Sequence, residues 1–244
     1  VLGYAAVHGR AAGITGVERK VQRLLDGLGF AQYVVYPAAG RLAPSFRTRA
    51  AAMLERQPQR RFDGAFARAL AEFARRHDVD VVVSMGLRHD FHAALACRSV
   101  GVPLLVHRPV PLADEPIPAL RRHMFGLVDA WTLRHCAGII ACSEASALRM
   151  ARTQRIARRR IRVVVNGVPV PEVTPAARAS ARQRLGAEPG DVVVGAAGQL
   201  IARKGFADLV RAVAHLQGSV SAPARGGAPS VRCVVLGEGP EHDA

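Results

Sequence analysis

The sequence predicts an α/β fold built on doubly wound parallel sheet, and three observations carry that prediction. Short β-branched runs alternate with longer helical patterns along all 244 residues. Several of those runs, such as "DVVVGAA" and "IRVVVN", are apolar at consecutive positions, as expected of parallel strands covered on both faces. The helical stretches between them carry start and stop signals of the usual kind.

Taken in order, the predicted strands are 3–7, 32–37, 79–85, 102–107, 138–143 and 161–166, followed by 191–197 and 231–237. The first helix, "GVERKVQRLLDGLG", puts Val17, Val21, Leu24, Leu25 and Leu28 on one face and stops at a glycine. An Arg-rich stretch, 47–77, reads as an outer helix pair broken at Pro58, apolar on one side and cationic on the other. Ser143 is a candidate N-cap, and Thr174 caps a helix whose first residue is Pro175. "NGVPVPEVTP" (166–175) is proline-rich and reads as a linker, which divides the chain into 1–168 and 169–244. Six strands precede the linker and two follow it. A two-stranded parallel sheet has nowhere to bury its faces, so the second unit is expected to be incomplete at Ala244. Val1 stands inside an apparent strand with no initiating Met, which reads as a clipped start. The segment 218–230 is a low-complexity loop and carries no functional expectation.

Composition narrows the function. The formal net charge is +15, from 34 basic and 19 acidic residues, and the only lysines are Lys20 and Lys204. Such a balance permits nucleic acid, an anionic membrane or phosphorylated substrates. No aromatic interleaving, zinc-finger spacing or basic zipper accompanies it, so nucleic acid is not expected as a partner. Cys97, Cys136, Cys142 and Cys233 form no C-x-x-C pair and fit a reducing cytosol. No signal peptide or membrane-spanning run is visible, so the predicted location is cytoplasmic, with peripheral contact at the cytoplasmic face of the membrane left open.

Three places could carry chemistry. In "GQLIARKGFADLV", Gly198 and Gln199 follow a strand, Arg203 and Lys204 come next, and Gly205 precedes a helix. Free backbone N–H groups and cations at a helix N-terminus suit a phosphate. An ordinary strand-to-helix loop with solvated cations fits the same residues. The second place is "HGRAAGITGVER", where Gly13 and Gly16 lie in another strand-to-helix loop, without the spacing of a dinucleotide fingerprint. The third is His107, at the carboxyl end of a central strand and followed by Arg108. It could donate to a phosphate or sugar oxygen, or face a neighbouring loop as a structural residue. His89 and His92 are spaced i, i+3 with no third ligand in view, so no metal site is expected.

Five segments together resemble the retaining GT-B glycosyltransferases of the family 4 (group 1) type. They are "GITGVERKVQRLLDGL", "GVPLLVHRPVP", "AGIIACSEAS", "RIRVVVNGVPV" and "VVVGAAGQLIARKGFADLVRAVAHL…VVLGEGPE". The resemblance implies two Rossmann-like domains and a nucleotide-diphosphate sugar donor, with transfer to a glycan or lipid-linked acceptor and retention of configuration. It implies no metal and no cofactor. Lys204 and Arg203 would neutralise the diphosphate and His107 would bond the transferring sugar or its phosphate. Gly13, Gly16, Gly198, Gln199 and Gly205 would line the donor, and Glu18 would orient its loop. Two departures stand out: Thr15 replaces one of a pair of glycines, and Gln199 replaces an Arg. The family's Glu-x7-Glu segment should follow "GEGPE", so the 244 residues alone are expected to transfer little sugar. The alternatives are a basic nucleic-acid- or membrane-binding α/β module, for which 47–77 is the best exhibit, and a nucleotide-sugar epimerase of the same architecture.

Overall fold

The structure, a computed structural model, describes residues 2–4, 31–37, 39, 43–112, 118–167, 170–220 and 230–242. The chain divides into two compact units, Val1–Gly167 and Val168–Ala244.

The first unit is built on a seven-stranded, wholly parallel sheet. Its strands are β1 (Leu2–Tyr4), β2 (Tyr33–Val35), β3 (Ala52–Leu54), β4 (Val82–Ser84), β5 (Leu104–His107), β6 (Gly138–Ala141) and β7 (Ile161–Val163). They lie in the order β3-β2-β1-β4-β5-β6-β7. Strand order therefore reverses between β1 and β4, and open α/β sheets bind ligands outside the carboxyl ends of the strands at such a point. The described helices are α1 (Ala43–Arg49), α2 (Gly64–Arg76), α3 (Leu87–Val100), α4 (Ala119–His135) and α5 (Glu144–Thr153). The expected helix over 17–28 lies outside the described residues.

Both faces of the sheet are covered, which is why its strands are apolar at consecutive positions. Val35 packs into one buried cluster with Phe66, Leu70, Val82, Leu104, Val106, Leu133, Ile139 and Met150. Its neighbour Val34 points the other way, into a cluster with Tyr36, Ala43, Phe46 and Met85. Ser143 accepts from the Ser146 amide at 3.1 Å and starts α5, as its position in the sequence predicts.

The stretch 47–77 differs from the helix pair expected of it. Its first arm ends at Arg49, and Ala52–Leu54 then forms β3, paired with β2 through Tyr33 and Ala52, Val34 and Met53, Val35 and Leu54. Arg47 bonds Glu55 across this turn, so a charge pair fastens the end of α1 to the exit of the edge strand. The second arm is a helix, α2, but Phe66, Leu70 and Phe73 bury its apolar face in the core. The apolar side of α2 is thus spent on the core.

The second unit contains α6 (Pro175–Arg184), β8 (Val192–Ala197), α7 (Phe206–Val220) and β9 (Val231–Leu236). Thr174 caps α6 by accepting from the Ala177 amide at 3.1 Å, with Pro175 at the first helical position. β8 and β9 form a parallel two-stranded sheet in register from Val192 with Val231 to Ala197 with Leu236. Leu200 and Val213 are buried, whereas Val192, Val210, Leu216 and Leu236 are exposed. Among the described residues no helix is long and apolar enough to cross a membrane.

Candidate functional site

Beyond β8 the chain makes the turn that sequence reasoning singled out. Ala202–Lys204 closes a single 3₁₀ turn, with the Lys204 amide donating to the Ile201 carbonyl at 2.9 Å. Gly205 then takes a left-handed conformation (φ 68°), which L side chains adopt only at a cost, and α7 begins at Phe206. Its first helical bond runs from the Leu209 amide to the Gly205 carbonyl at 3.0 Å, so the amides of Phe206, Ala207 and Asp208 have no partner within the helix. Gln199, Arg203 and Lys204 are exposed. Asp208 also lies in the first turn of α7, where it pairs with Arg211 at 2.5 Å.

A second loop holds this turn in place. The Gly198 amide donates to the Leu236 carbonyl at 2.9 Å, the Leu200 amide to the Glu238 carbonyl at 3.0 Å, and the Glu241 amide to the Leu200 carbonyl at 3.2 Å. The loops are in such close contact that a Cβ on Gly239 would stand 2.3 Å from the Leu200 carbonyl oxygen, and one on Gly237 would stand 1.9 Å from that of Gly198. The glycines of "GEGP" are thus required by backbone packing between two loops.

In the first unit, His107 ends β5 and is 6% exposed. Next to it the Arg108 amide donates to the Ile140 carbonyl at 2.8 Å. The Arg108 side chain turns into the protein. Its Nη2 donates to Asp90 Oδ2 and Asp129 Oδ1, each at 2.7 Å. Ser84, at the end of β4, donates to Asp90 Oδ1 at 2.5 Å, and the Gln154 side-chain amide donates to Asp129. This network joins the carboxyl ends of β4 and β5 to α3, α4 and the end of α5. Burial pushes the Asp90 carboxyl up to about 6 against the pull of Arg108 and Ser84. Burial also raises Asp129, again opposed by Arg108. Sequence reasoning missed this group: Arg108, Asp90 and Asp129 are far apart in the chain, and no local spacing marks them.

The paired histidines of "RHDFH" are structural. His92 is fully buried, and its Nε2 accepts from the Asp63 amide at 2.9 Å, which places its proton on Nδ1 and keeps the ring neutral. Asp63 in turn caps α2 through the Phe66 amide at 2.9 Å. Burial drives His89 down to about 3. Among the described residues no group of three or more His, Cys, Asp or Glu side chains could hold a metal ion. Gly13, Gly16 and Glu18 lie outside the described residues.

With this geometry in hand, comparison with known proteins is decisive about kinship. The profile of Glycosyltransferase Family 4 matches residues 14–171, more than half of the chain. The chain belongs to Glycosyltransferase Family 4. Solved structures carry the same fold. A glycosyltransferase from Rickettsia africae aligns with a TM-score of 0.73 at 16% identity, covering 97% of this chain and 59% of its own. The Anabaena protein HepE, solved in complex with UDP and glucose, aligns at 0.71 and 18% identity, covering 98% and 61%. The lipopolysaccharide outer core galactosyltransferase WaaB, in its apo form, aligns at 0.58 and 13% identity, covering 99% and 61%. The fold is therefore that of the GT-B glycosyltransferases, and the chain spans about 60% of the length of these structures. No curated protein matches the chain.

Proposed function

We propose that this Family 4 chain is the donor- and acceptor-side body of a glycosyltransferase that uses a nucleotide-diphosphate sugar. The observation that carries the reading is the turn after β8: exposed Arg203 and Lys204 stand before the N-terminus of α7, with a left-handed Gly205 between. In the reaction the bond between the sugar's anomeric carbon and the diphosphate oxygen breaks, and a bond to an acceptor hydroxyl oxygen forms. The hydroxyl proton is released, and the nucleoside diphosphate departs with the electron pair. Negative charge grows on the departing oxygen, so preorganised cations and helix amides lower the barrier. Lys204 and Arg203 supply those cations, and Gly198, Gln199 and Gly205 let backbone approach the diphosphate. His107 donates to the sugar or its phosphate, and Gly13 and Gly16 let backbone amides approach the donor. The boundary near residue 168 separates an acceptor-side domain from a nucleotide-sugar domain. We assign retention, a glycan or lipid-linked acceptor and a cytoplasmic site of action to the same reading. No metal enters it, because the cations neutralise the leaving group.

Product analysis tests the proposal. The intact protein, given a panel of nucleotide-diphosphate sugars and hydroxyl acceptors, should yield glycoside and free nucleoside diphosphate in equal amounts. An isomerised donor with no glycoside would make it an epimerase instead.

A further inference from the structure

A groove of about 670 Å³ lies between α4 and the end of α5, a volume that suits a small molecule. Leu112, Leu127 and Ala130 give it an apolar wall. Arg122 and His123 of α4, and Arg155 just past α5, bring basic side chains to it. Among the described residues that line it, none is acidic. The one carboxylate of α4, Asp129, is buried and bonded by Arg108 and by the Gln154 side-chain amide.

Two residues of this groove are poor choices for helix structure alone. Gly126 stands in the interior of α4, where glycine weakens a helix, and a Cβ there would meet nothing within 4 Å. Close packing therefore does not require it, and its bare backbone leaves the groove open. Arg155 follows α5 in a left-handed conformation, φ 52°. The Ile156 amide donates to the Ala151 carbonyl at 3.2 Å, closing a Schellman turn in which the left-handed residue is ordinarily glycine. An exposed guanidinium is thus held at the groove against backbone strain, and such strain gathers at sites that hold ligands.

The remaining polar groups specify what fits. Gln154 Oε1 is buried and accepts from no described residue, while the same side chain donates to Asp129. The Thr153 hydroxyl donates to the Arg149 carbonyl at 2.8 Å, which leaves its oxygen to accept. Two acceptors call for hydroxyl donors, and the guanidinium groups call for a phosphate. The apolar wall suits the C–H face of a small ring. We propose that the groove between α4 and α5 binds a phosphorylated sugar or polyol. Gln154 and Asp129 link its occupant to Arg108, the neighbour of His107. The inference stands on this groove alone and not on the transfer reading.

Calorimetry of the 244-residue protein with ribose 5-phosphate, ribose and inorganic phosphate tests it. Saturable binding of ribose 5-phosphate at millimolar concentration is expected, about tenfold or more tighter than inorganic phosphate, with no measurable heat from ribose. Arg155→Gly and Gly126→Leu should each keep or raise the melting temperature, the first by relieving the left-handed backbone and the second by favouring the helix. Each should weaken ribose 5-phosphate about tenfold or more, one by removing a cation and the other by filling the groove. Lys204→Ala should bind it as wild type does, which separates this groove from the turn after β8. No saturation by ribose 5-phosphate, equal affinity for inorganic phosphate, or undiminished binding by either folded variant would overturn the proposal. So would loss of binding in Lys204→Ala.

Discussion

Arg108 Nη2 stands 2.7 Å from Asp90 Oδ2, at the carboxyl ends of two adjacent central strands, and both side chains are almost wholly buried. The same nitrogen bonds Asp129. One cation thus answers two carboxylates, and a buried group with excess negative charge is expensive to disturb.

Arg108→Met should therefore destabilise the first unit by about 3–5 kcal/mol, because two carboxylates lose their partner inside the protein. Adding Asp90→Asn and Asp129→Asn should recover much of that loss, since the buried charges are then gone. Urea unfolding followed by Trp131 fluorescence checks both steps. A loss below about 1 kcal/mol for Arg108→Met would mean that the network contributes little.

Two buried neighbours give opposite pH dependences. His89 has a folded pKa of about 3, below its ordinary value, so the stability of its neutral burial is full above about pH 6.5 and is lost as pH falls towards 3. Asp90 has a folded pKa raised to about 6, so it costs stability as pH rises from about 4 to 6. Across that window the two slopes cancel. Asp90→Asn should unmask His89, and unfolding free energy should then fall more steeply with acid than in wild type, by about 1.4 kcal/mol per pH unit. Parallel curves for variant and wild type would contradict this assignment.

Gly239→Ala puts a methyl group where the Leu200 backbone already lies. The paired loops must separate, at a cost of about 2 kcal/mol or more, and the turn carrying Arg203 and Lys204 loses its support. Lower melting temperature together with weaker nucleoside-diphosphate binding is expected. Glu238, in the same loop, is exposed, and Glu238→Ala should leave stability within about 0.5 kcal/mol of wild type.

Much of the fold was legible because its signals are local. Consecutive apolar residues marked the strands covered on both faces, and Ser143, Thr174 and Pro175 marked two helix starts. Strand β3 was not, because "AML" within an Arg- and Ala-rich run has the composition of a helix, and only pairing with β2 makes it a strand. The site divides in the same way. Arg203, Lys204 and Gly205 were readable as a strand-to-helix turn, whereas the Asp90–Arg108–Asp129 group arises from contacts between three separate elements. The stretch that looked amphipathic, 47–77, buries the apolar face of its second arm.

The most direct test of the account is the affinity of Lys204→Ala for nucleoside diphosphates. Calorimetry with UDP, GDP and ADP, on the wild-type chain and the variant, measures the cradle without requiring transfer. The account predicts that wild type binds at least one of them and that Lys204→Ala weakens it about tenfold or more, with the melting temperature unchanged because Lys204 is exposed. Equal affinity for both proteins, or no binding by wild type at millimolar ligand, would contradict it.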